Sequence, residues 1–190
     1  MPARKDDITH TDILADDDGS MIRRVSPWDH LYFAKFAADG TSKPVWDFSY
    51  RDFRQGSRVG LCRGADGTVY VAGAGSRRVA AFRADGTRLW ERKWQPAEAH
   101  ARGDLPLRSP SSCALDGRGR LWVSDWARDQ LVAFDAKDGR FLGTFGASGT
   151  IDDKTGFGFS AISGLAVIGD RLYVLDSGNL RLLEFEIGGR

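Results

Sequence analysis

The segment GDRLYVLDSGNLRLLEF at residues 169–185 sets the pattern of the chain, because two earlier segments repeat it without gaps. Residues 118–134 read RGRLWVSDWARDQLVAF, and residues 66–82 read DGTVYVAGAGSRRVAAF. In all three, an apolar residue, an aromatic residue and a valine follow one another, a loop comes next, and a phenylalanine closes the segment. The matched triplets are Val69, Tyr70 and Val71; Leu121, Trp122 and Val123; and Leu172, Tyr173 and Val174. The chain is therefore built from an internal repeat.

A weaker copy lies around Gly19 and ends at Phe36, so that four copies recur at a period of about 50 residues. Within a copy the apolar residues alternate in short runs rich in Val, Leu and aromatic residues, a pattern typical of strands. In the second copy it predicts strands at 60–63, 68–72, 79–83 and 87–93. Asp-Gly pairs between the runs predict hairpins with primed turns, in which glycine takes a positive φ.

Each copy is thus predicted to be a four-stranded antiparallel meander. A single sheet of this kind cannot cover both of its faces, whereas radial stacking of several sheets covers them and leaves only short edges. The predicted fold class is an all-β protein, a β-propeller of four-stranded antiparallel blades. We expect one propeller region over residues 1–190, with an N-terminal tail at 1–11. The expected blades are residues 12–48, 60–94, 112–145 and 161–190.

The segments CALDGRGRLWVSDWARDQLVAF and GLAVIGDRLYVLDSGNLRLLEF resemble NHL repeats, which build six-bladed propellers of the TolB-like/NHL superfamily. Asp125 and Asp176 match the Asp that follows the second strand in that family, whereas the second copy has Gly73 and the first Val25. The basic position of the family is filled in two copies, by Arg78 and Arg181, and the third copy has Gln130 there. The resemblance therefore implies a propeller whose ring of repeated polar groups is incomplete.

The number of blades sets a second expectation. Only four copies are present, and after Phe185 the sequence reads EIGGR, so the last copy has no fourth strand. The missing strand is expected from the DDITHTD segment at 6–12, closing a four-bladed ring, from another copy of the chain, or from further blades of a longer propeller. The last alternative is favoured, because segment 6–12 is polar and contains only Ile8 as an apolar residue.

Charge and composition limit the partners. The formal net charge of the 190 residues is +1, which provides no field to attract nucleic acid. Arg54, Arg58, Arg102 and Arg108 would form a basic rim for RNA, but nearby acidic residues oppose this alternative.

The sequence shows no signal peptide and no apolar run of membrane-spanning length, so localisation is undefined, with a soluble cytoplasmic protein as the default expectation. Cys62 and Cys113 are predicted to be core residues.

The loops between second and third strands, with the blade-linking segments, are expected on one face, where propellers usually bind ligands. Trp28 and Trp126 are loop indoles that the other copies do not share, and indoles and arginines dominate binding hot spots. The sequence predicts a non-enzymatic module that binds a protein, peptide or small polar ligand. The candidate residues are Trp28, Asp29, His30, Arg77, Arg78, Asp125, Trp126, Arg128, Asp176 and Asn179. A structural alternative is that the Asp and Arg residues only fix their own loops.

The competing hypothesis is a metal-assisted lactonase or lyase, with Asp125, Asp176, Asn179 and His30 as the metal ligands. No catalytic residue is identified, because His10, His30 and His100 have no paired spacing and no nucleophile or nucleotide motif is present. No cofactor is predicted. Trp46 and Trp90 resemble the tryptophans that dock blades in quinoprotein-like propellers, and Phe145 is expected at the corresponding position of the third unit.

Overall fold

Short antiparallel strands account for most of the structure, a computed structural model that describes residues 13–15, 21–25, 31–48, 58–74, 77–93, 107–150 and 157–188. Blade 1 contains β1 (Ile13–Ala15), β2 (Met21–Val25), β3 (Leu31–Phe36) and β4 (Ser42–Phe48). Blade 2 contains β5 (Val59–Arg63), β6 (Val69–Gly73), β7 (Arg78–Phe82) and β8 (Arg88–Lys93). Blade 3 contains β9 (Pro110–Leu115), β10 (Arg120–Asp125), β11 (Gln130–Asp135) and β12 (Phe141–Phe145).

The chain then forms a parallel two-residue pairing of β13 (Ala147–Ser148) with β14 (Gly158–Phe159). Blade 4 has three strands, β15 (Ile162–Ile168), β16 (Arg171–Asp176) and β17 (Arg181–Glu186), with one 3₁₀ turn at Ser177–Asn179. Strand order follows chain order in all four described blades. The predicted all-β meander is confirmed, and the four strands expected in the second copy end within one residue of the observed bounds. No described helix is long and apolar enough to cross a membrane.

The Asp-Gly hairpins differ from the prediction in their turn type. Gly67 has the expected positive φ of 81°, but Ala65 and Asp66 do not have positive φ, as a two-residue primed turn would require. The Gly67 N–H donates to the Gly64 carbonyl and the Gly64 N–H donates to the Thr68 carbonyl, so the loop is a tight turn followed by a left-handed glycine. The Asp66 carboxylate accepts bonds from the Thr68 N–H and hydroxyl at 3.0 and 2.9 Å. These bonds lower its pKa and fix the turn.

The blades pack side by side through apolar residues of neighbouring sheets. Cys62 of blade 2 and Cys113 of blade 3 are buried in one cluster, which confirms that both are core residues. Blades 3 and 4 are joined near the inner strands, where the Leu165 N–H donates to Ser112 Oγ at 3.2 Å. Another apolar cluster, around Leu131 and Phe159, continues the core into blade 4.

Trp90 on β8 closes the seam between blades 2 and 3. Its ring is buried, lies 6.1 Å from the Tyr70 ring, and donates through Nε1 to the Ala136 carbonyl of blade 3 at 2.9 Å. Gly139 lies beneath the indole with a φ of 72°, and a Cβ there would lie 2.6 Å from the ring. The expectation that Trp90 docks one blade against the next is confirmed, whereas the side chain of Trp46 lies outside the described part of the chain.

Phe145 was expected at the position of Trp46 and Trp90; its place in the ladder matches that of Trp46, which pairs with Phe33, but the expectation is wrong for Trp90. Trp90 pairs with Ala81, and the residue that pairs with the equivalent Ala133 is Gly143. Phe145 lies two residues further and pairs with Leu131. The β12 strand thus presents a glycine where β8 presents an indole.

Asp116 organises the turn between β9 and β10 in blade 3. Its buried carboxylate accepts a bond from Arg120 Nε at 2.6 Å and one from Trp122 Nε1 at 2.9 Å, together with backbone N–H groups of Arg118 and Arg120. Burial alone would raise the pKa of Asp116, but the bonds from the Arg120 backbone, the Trp122 indole, the Arg120 side chain and the Arg118 backbone together lower it below 3.8.

Asp116→Asn is therefore expected to reduce the free energy of unfolding by about 1–3 kcal/mol at pH 7. A carboxyl group with a lowered pKa in the folded state stabilises the fold above its unfolded-state pKa, and this contribution disappears as the pH falls through the folded-state value. The difference between wild type and variant should thus be constant from pH 7 to about pH 5 and shrink below pH 4. Urea unfolding at several pH values measures it, with the exposed Asp138→Asn as control. A difference independent of pH would contradict this account.

Candidate ligand-binding face

The loops between second and third strands lie beside the blade-linking segments on one face, as predicted. Three equivalent backbone bonds show this: Ala74 N–H to the Arg58 carbonyl, Trp126 N–H to the Ser109 carbonyl and Gly178 N–H to the Ser160 carbonyl, at 3.0, 3.0 and 2.8 Å. In each of these blades, the linking segment and the loop therefore lie at the same end of the sheet. We call this surface the loop face.

Asp125 ends β10 at the loop face and is fully buried, with 0% exposure. Its two carboxylate oxygens accept the N–H groups of Arg108 and Ser109 at 2.8 and 2.9 Å. These amides begin the segment that leads into β9, so the carboxylate fixes the start of its own blade. Asp125 therefore fixes its own loop, as the structural alternative for this residue predicted.

Asp176 has the equivalent role in blade 4 and is also 0% exposed. Its Oδ1 accepts the Ser160 N–H at 2.7 Å, and its Oδ2 accepts Asn179 Nδ2 at 2.9 Å and Arg181 Nε at 2.8 Å. Asn179 is buried and also donates to the Gly149 carbonyl at 3.1 Å. The paired Asp and Arg positions of the repeat thus form an ion pair within the blade.

Asp129 connects two blades across this face. It lies in the loop of blade 3 with a positive φ of 50°, and its Oδ1 accepts the Ala161 N–H of blade 4 at 2.7 Å. Its Oδ2 accepts the Ser148 hydroxyl at 3.0 Å. The repeat pattern carries no signal for these two partners, because neither lies within the same repeat as Asp129.

Two large apolar side chains are exposed in the described loops of this face: Leu180 of blade 4, at 93%, and Trp126 of blade 3, at 42%. The guanidinium carbon of Arg58, in the segment preceding β5, lies 5.0 Å from the centre of the Trp126 ring. A cation at this distance from an indole face is attracted by the ring quadrupole. The pair spans blades 2 and 3, and it combines an apolar surface with a fixed positive charge.

Other predicted residues belong to the loops and adjoining strands of blades 2 and 3. Arg77 is exposed and has a φ of 52°, Arg78 forms an ion pair with Glu91 at 3.5 Å, and Arg128 is half-buried in the same loop as Trp126. Gln130 is buried beside Asp125 in the β-ladder, and its amide nitrogen has no hydrogen-bond partner among the described residues. A buried amide donor of this kind is typical of a position completed by water or a ligand.

Several candidates are outside the residues that the structure describes. They are Trp28, Asp29, His30, His10, His100, Arg54 and Arg102. Within the described ranges, no three His, Cys, Asp or Glu side chains lie close enough together to hold a metal ion. Ligand contact by any of the candidate residues stays a prediction.

Comparison with solved structures places the fold among β-propellers. The chain aligns over 93% of its length with a streptogramin B lyase at 13% identity and a TM-score of 0.56, covering 54% of that chain. It aligns over 86% with a gluconolactonase from Xanthomonas campestris at 19% identity and a TM-score of 0.56, covering 52% of that chain. The chain thus spans little more than half the length of these structures, and at such identities the likeness shows the fold alone.

Sequence comparison gives the family. No curated protein matches the chain significantly. Residues 36–144 and 75–188 match the family described as outer membrane protein assembly factor BamB, and together these segments make up most of the chain. The resemblance to NHL repeats is therefore confirmed for the propeller architecture, and the chain belongs to the family of the outer membrane protein assembly factor BamB.

Proposed function

We propose that the chain is a non-enzymatic interaction module whose loop face binds a protein or peptide, with Trp126 and Arg58 as the central contact. The single observation that carries this proposal is the exposed indole held under a guanidinium across two blades. Tryptophan and arginine are the residues most enriched among binding hot spots, because they bury a large area and also form directional polar contacts. Gln130 adds a buried amide donor beside the same loop.

The hydrogen bonds of the two buried carboxylates on the loop face support a binding role over a catalytic one. Asp125 and Asp176, the two strongest acidic candidates, each place both oxygens on donors of their own blade. The name of the matching family, an outer membrane protein assembly factor, is also consistent with protein partners. The differences in sequence between the loops of the repeated blades also support a ligand site on the loop face, since loop variation on a repeated scaffold is how propellers vary their ligands.

Trp126→Ala is expected to weaken peptide binding by about tenfold or more, because the variant removes the apolar surface and the support of Arg58. A phage-displayed library of random 12-residue peptides, selected on the wild-type chain, supplies the probes. Dissociation constants from fluorescence anisotropy then compare wild type, Trp126→Ala and the control Ile168→Ala, whose side chain is 68% exposed at the opposite end of blade 4. Selected peptides that bind Trp126→Ala as tightly as wild type would refute the loop-face proposal.

A metal-assisted lactonase or lyase is the second candidate, and it is favoured by the likeness in fold to a streptogramin B lyase and to gluconolactonases. Its ligand set would be Asp125, Asp176, Asn179 and His30. The described members of this set do not fit a metal well, because Asp125 and Asp176 are buried and bonded to backbone amides, and Asn179 donates to Asp176. Turnover of a panel of lactones that EDTA abolishes would support this candidate against the binding module.

Completion of the propeller by a second copy of this chain also stays a proposal. Among the described residues, β17 ends a three-stranded sheet, whereas each of the other three blades has a fourth strand at this position. An open edge of this kind presents unpaired backbone groups to any further strand. Light scattering of the purified chain at several concentrations tests whether copies associate.

A further inference from the structure

The seam between blades 3 and 4 repeats the construction of the seam between blades 2 and 3, but without its tryptophan. At the first seam, Trp90 packs in one cluster with Tyr70, Leu121, Phe134 and Ala136. The repeat places Trp122, Leu172, Phe185 and Ile187 at the equivalent positions of the second seam. The ladders confirm these equivalences, because Leu121 pairs with Phe134 as Leu172 pairs with Phe185, and Ala136 bonds to Gly119 as Ile187 bonds to Asp170.

A cavity of about 470 Å³ lies at this second seam. Its lining contains all four of the equivalent residues, together with Arg120, Phe145, Phe157 and Glu186. This volume and a mainly aromatic lining with a few polar groups are typical of sites for small molecules. We call it the seam cavity.

Gly143 lies two residues before the lining residue Phe145 and therefore on the same face of β12, where it adds no side chain to the seam. It occupies the position of Trp90 in the β-ladder, and a Cβ built on it would meet no atom within 4 Å. Its φ does not lie in the left-handed region, so the backbone itself does not require glycine at this position. The space that an indole fills at one seam is therefore left free of side chain at the next.

The walls of the seam cavity are held in place. Trp122 donates through Nε1 to Asp116 at 2.9 Å, and the Arg120 guanidinium lies 5.3 Å from the Trp122 ring centre. Phe145 meets the Phe157 ring edge-on at 5.0 Å and the Phe185 ring edge-on at 5.1 Å. Rings arranged in this way present both faces and edges to a planar aromatic guest.

We propose that the seam cavity is a binding site for an aromatic small molecule of the size of indole, which takes the place that Trp90 has at the preceding seam. The site is distinct from the loop face and does not depend on the function proposed there. The internal repeat specifies the chemistry of the guest, because Trp122, Leu172 and Phe185 enclose the same kind of apolar space as their counterparts around the Trp90 indole. Arg120 and Glu186 add charged groups to the lining, which favours a guest with a polar substituent.

Isothermal titration of the full chain with indole tests this proposal. We expect one indole per chain, and a loss of affinity of at least about tenfold in Gly143→Trp, whose side chain fills the cavity. The same variant should melt at a higher temperature than wild type, since it fills a void without straining the backbone. Thr144→Trp is the matched control, because its exposed side chain alternates to the other face of β12, and it should bind indole as wild type does.

A second variant keeps the test independent of how Gly143→Trp folds. Phe157 is 48% exposed and contributes one wall, so Phe157→Ala should keep the fold and weaken indole binding by about tenfold. Absence of indole binding to the wild-type chain would overturn the proposal. Equal affinities of wild type, Gly143→Trp and Phe157→Ala would overturn it as well, because indole would then bind elsewhere.

Discussion

Trp90→Ala is expected to reduce the free energy of unfolding by about 3–5 kcal/mol, the range of large-to-small substitutions of buried aromatic residues. The variant opens a void between blades 2 and 3, where Trp90 contacts Tyr70 and Gly139. It also leaves the Ala136 carbonyl without its indole donor. Because one side chain joins two sheets, the loss should affect both blades rather than a local segment. Urea unfolding followed by circular dichroism measures the effect.

Two controls separate docking from general disturbance of β8. Leu89→Ala changes the preceding residue, which is 42% exposed, and should cost less than about 0.5 kcal/mol. Trp90→Phe keeps most of the ring but removes the N–H donor, so it should be intermediate between wild type and Trp90→Ala. Similar unfolding curves for Trp90→Ala and Leu89→Ala would show that the seam does not depend on the indole.

Asp176→Ala is expected to destabilise the chain by about 3–5 kcal/mol, because it breaks a buried ion pair from one side. Three donors lose their acceptor: the Ser160 N–H, Asn179 Nδ2 and Arg181 Nε. Each of these hydrogen bonds contributes about 1 kcal/mol or more, and the mostly buried guanidinium adds the cost of an uncompensated charge. Thermal unfolding at pH 7 gives the measurement.

The double variant Asp176→Ala with Arg181→Ala isolates the charge contribution. It should be less destabilised than the sum of its two single variants, since the second substitution removes the unpaired cation. Asp170→Ala, at an exposed turn of the same blade, should change stability by less than about 0.5 kcal/mol. Additive single effects would mean that Asp176 and Arg181 do not stabilise the fold through their contact with each other.

The repeat allowed the blades, their strand order and the three-stranded last blade to be predicted, because the period-2 pattern and the Asp-Gly turns are local properties of the chain. It also identified Trp90 as a residue that joins blades. It missed the turn type, since Asp66 binds the Thr68 N–H and hydroxyl and the turn keeps its first two residues out of the left-handed region. It also misplaced the counterpart of Trp90, because the turn before β12 is one residue longer than the turn before β8: Phe82 pairs with Arg88, whereas Phe134 pairs with Phe141.

The candidate site, like the fold, could be predicted from the sequence only in part. The sequence by itself determined that Asp176 and Arg181 occupy repeated polar positions and that Trp126 is an unmatched loop indole, because these features recur, or fail to recur, at fixed positions of the repeat. Only the tertiary structure decided that Arg58 stacks on Trp126, that Asp129 binds the next blade, and that Gly143 leaves a cavity. All three features depend on how neighbouring blades pack against each other. Contacts between blades join residues that are far apart in the chain, and a local sequence pattern carries no information about the distance between such residues.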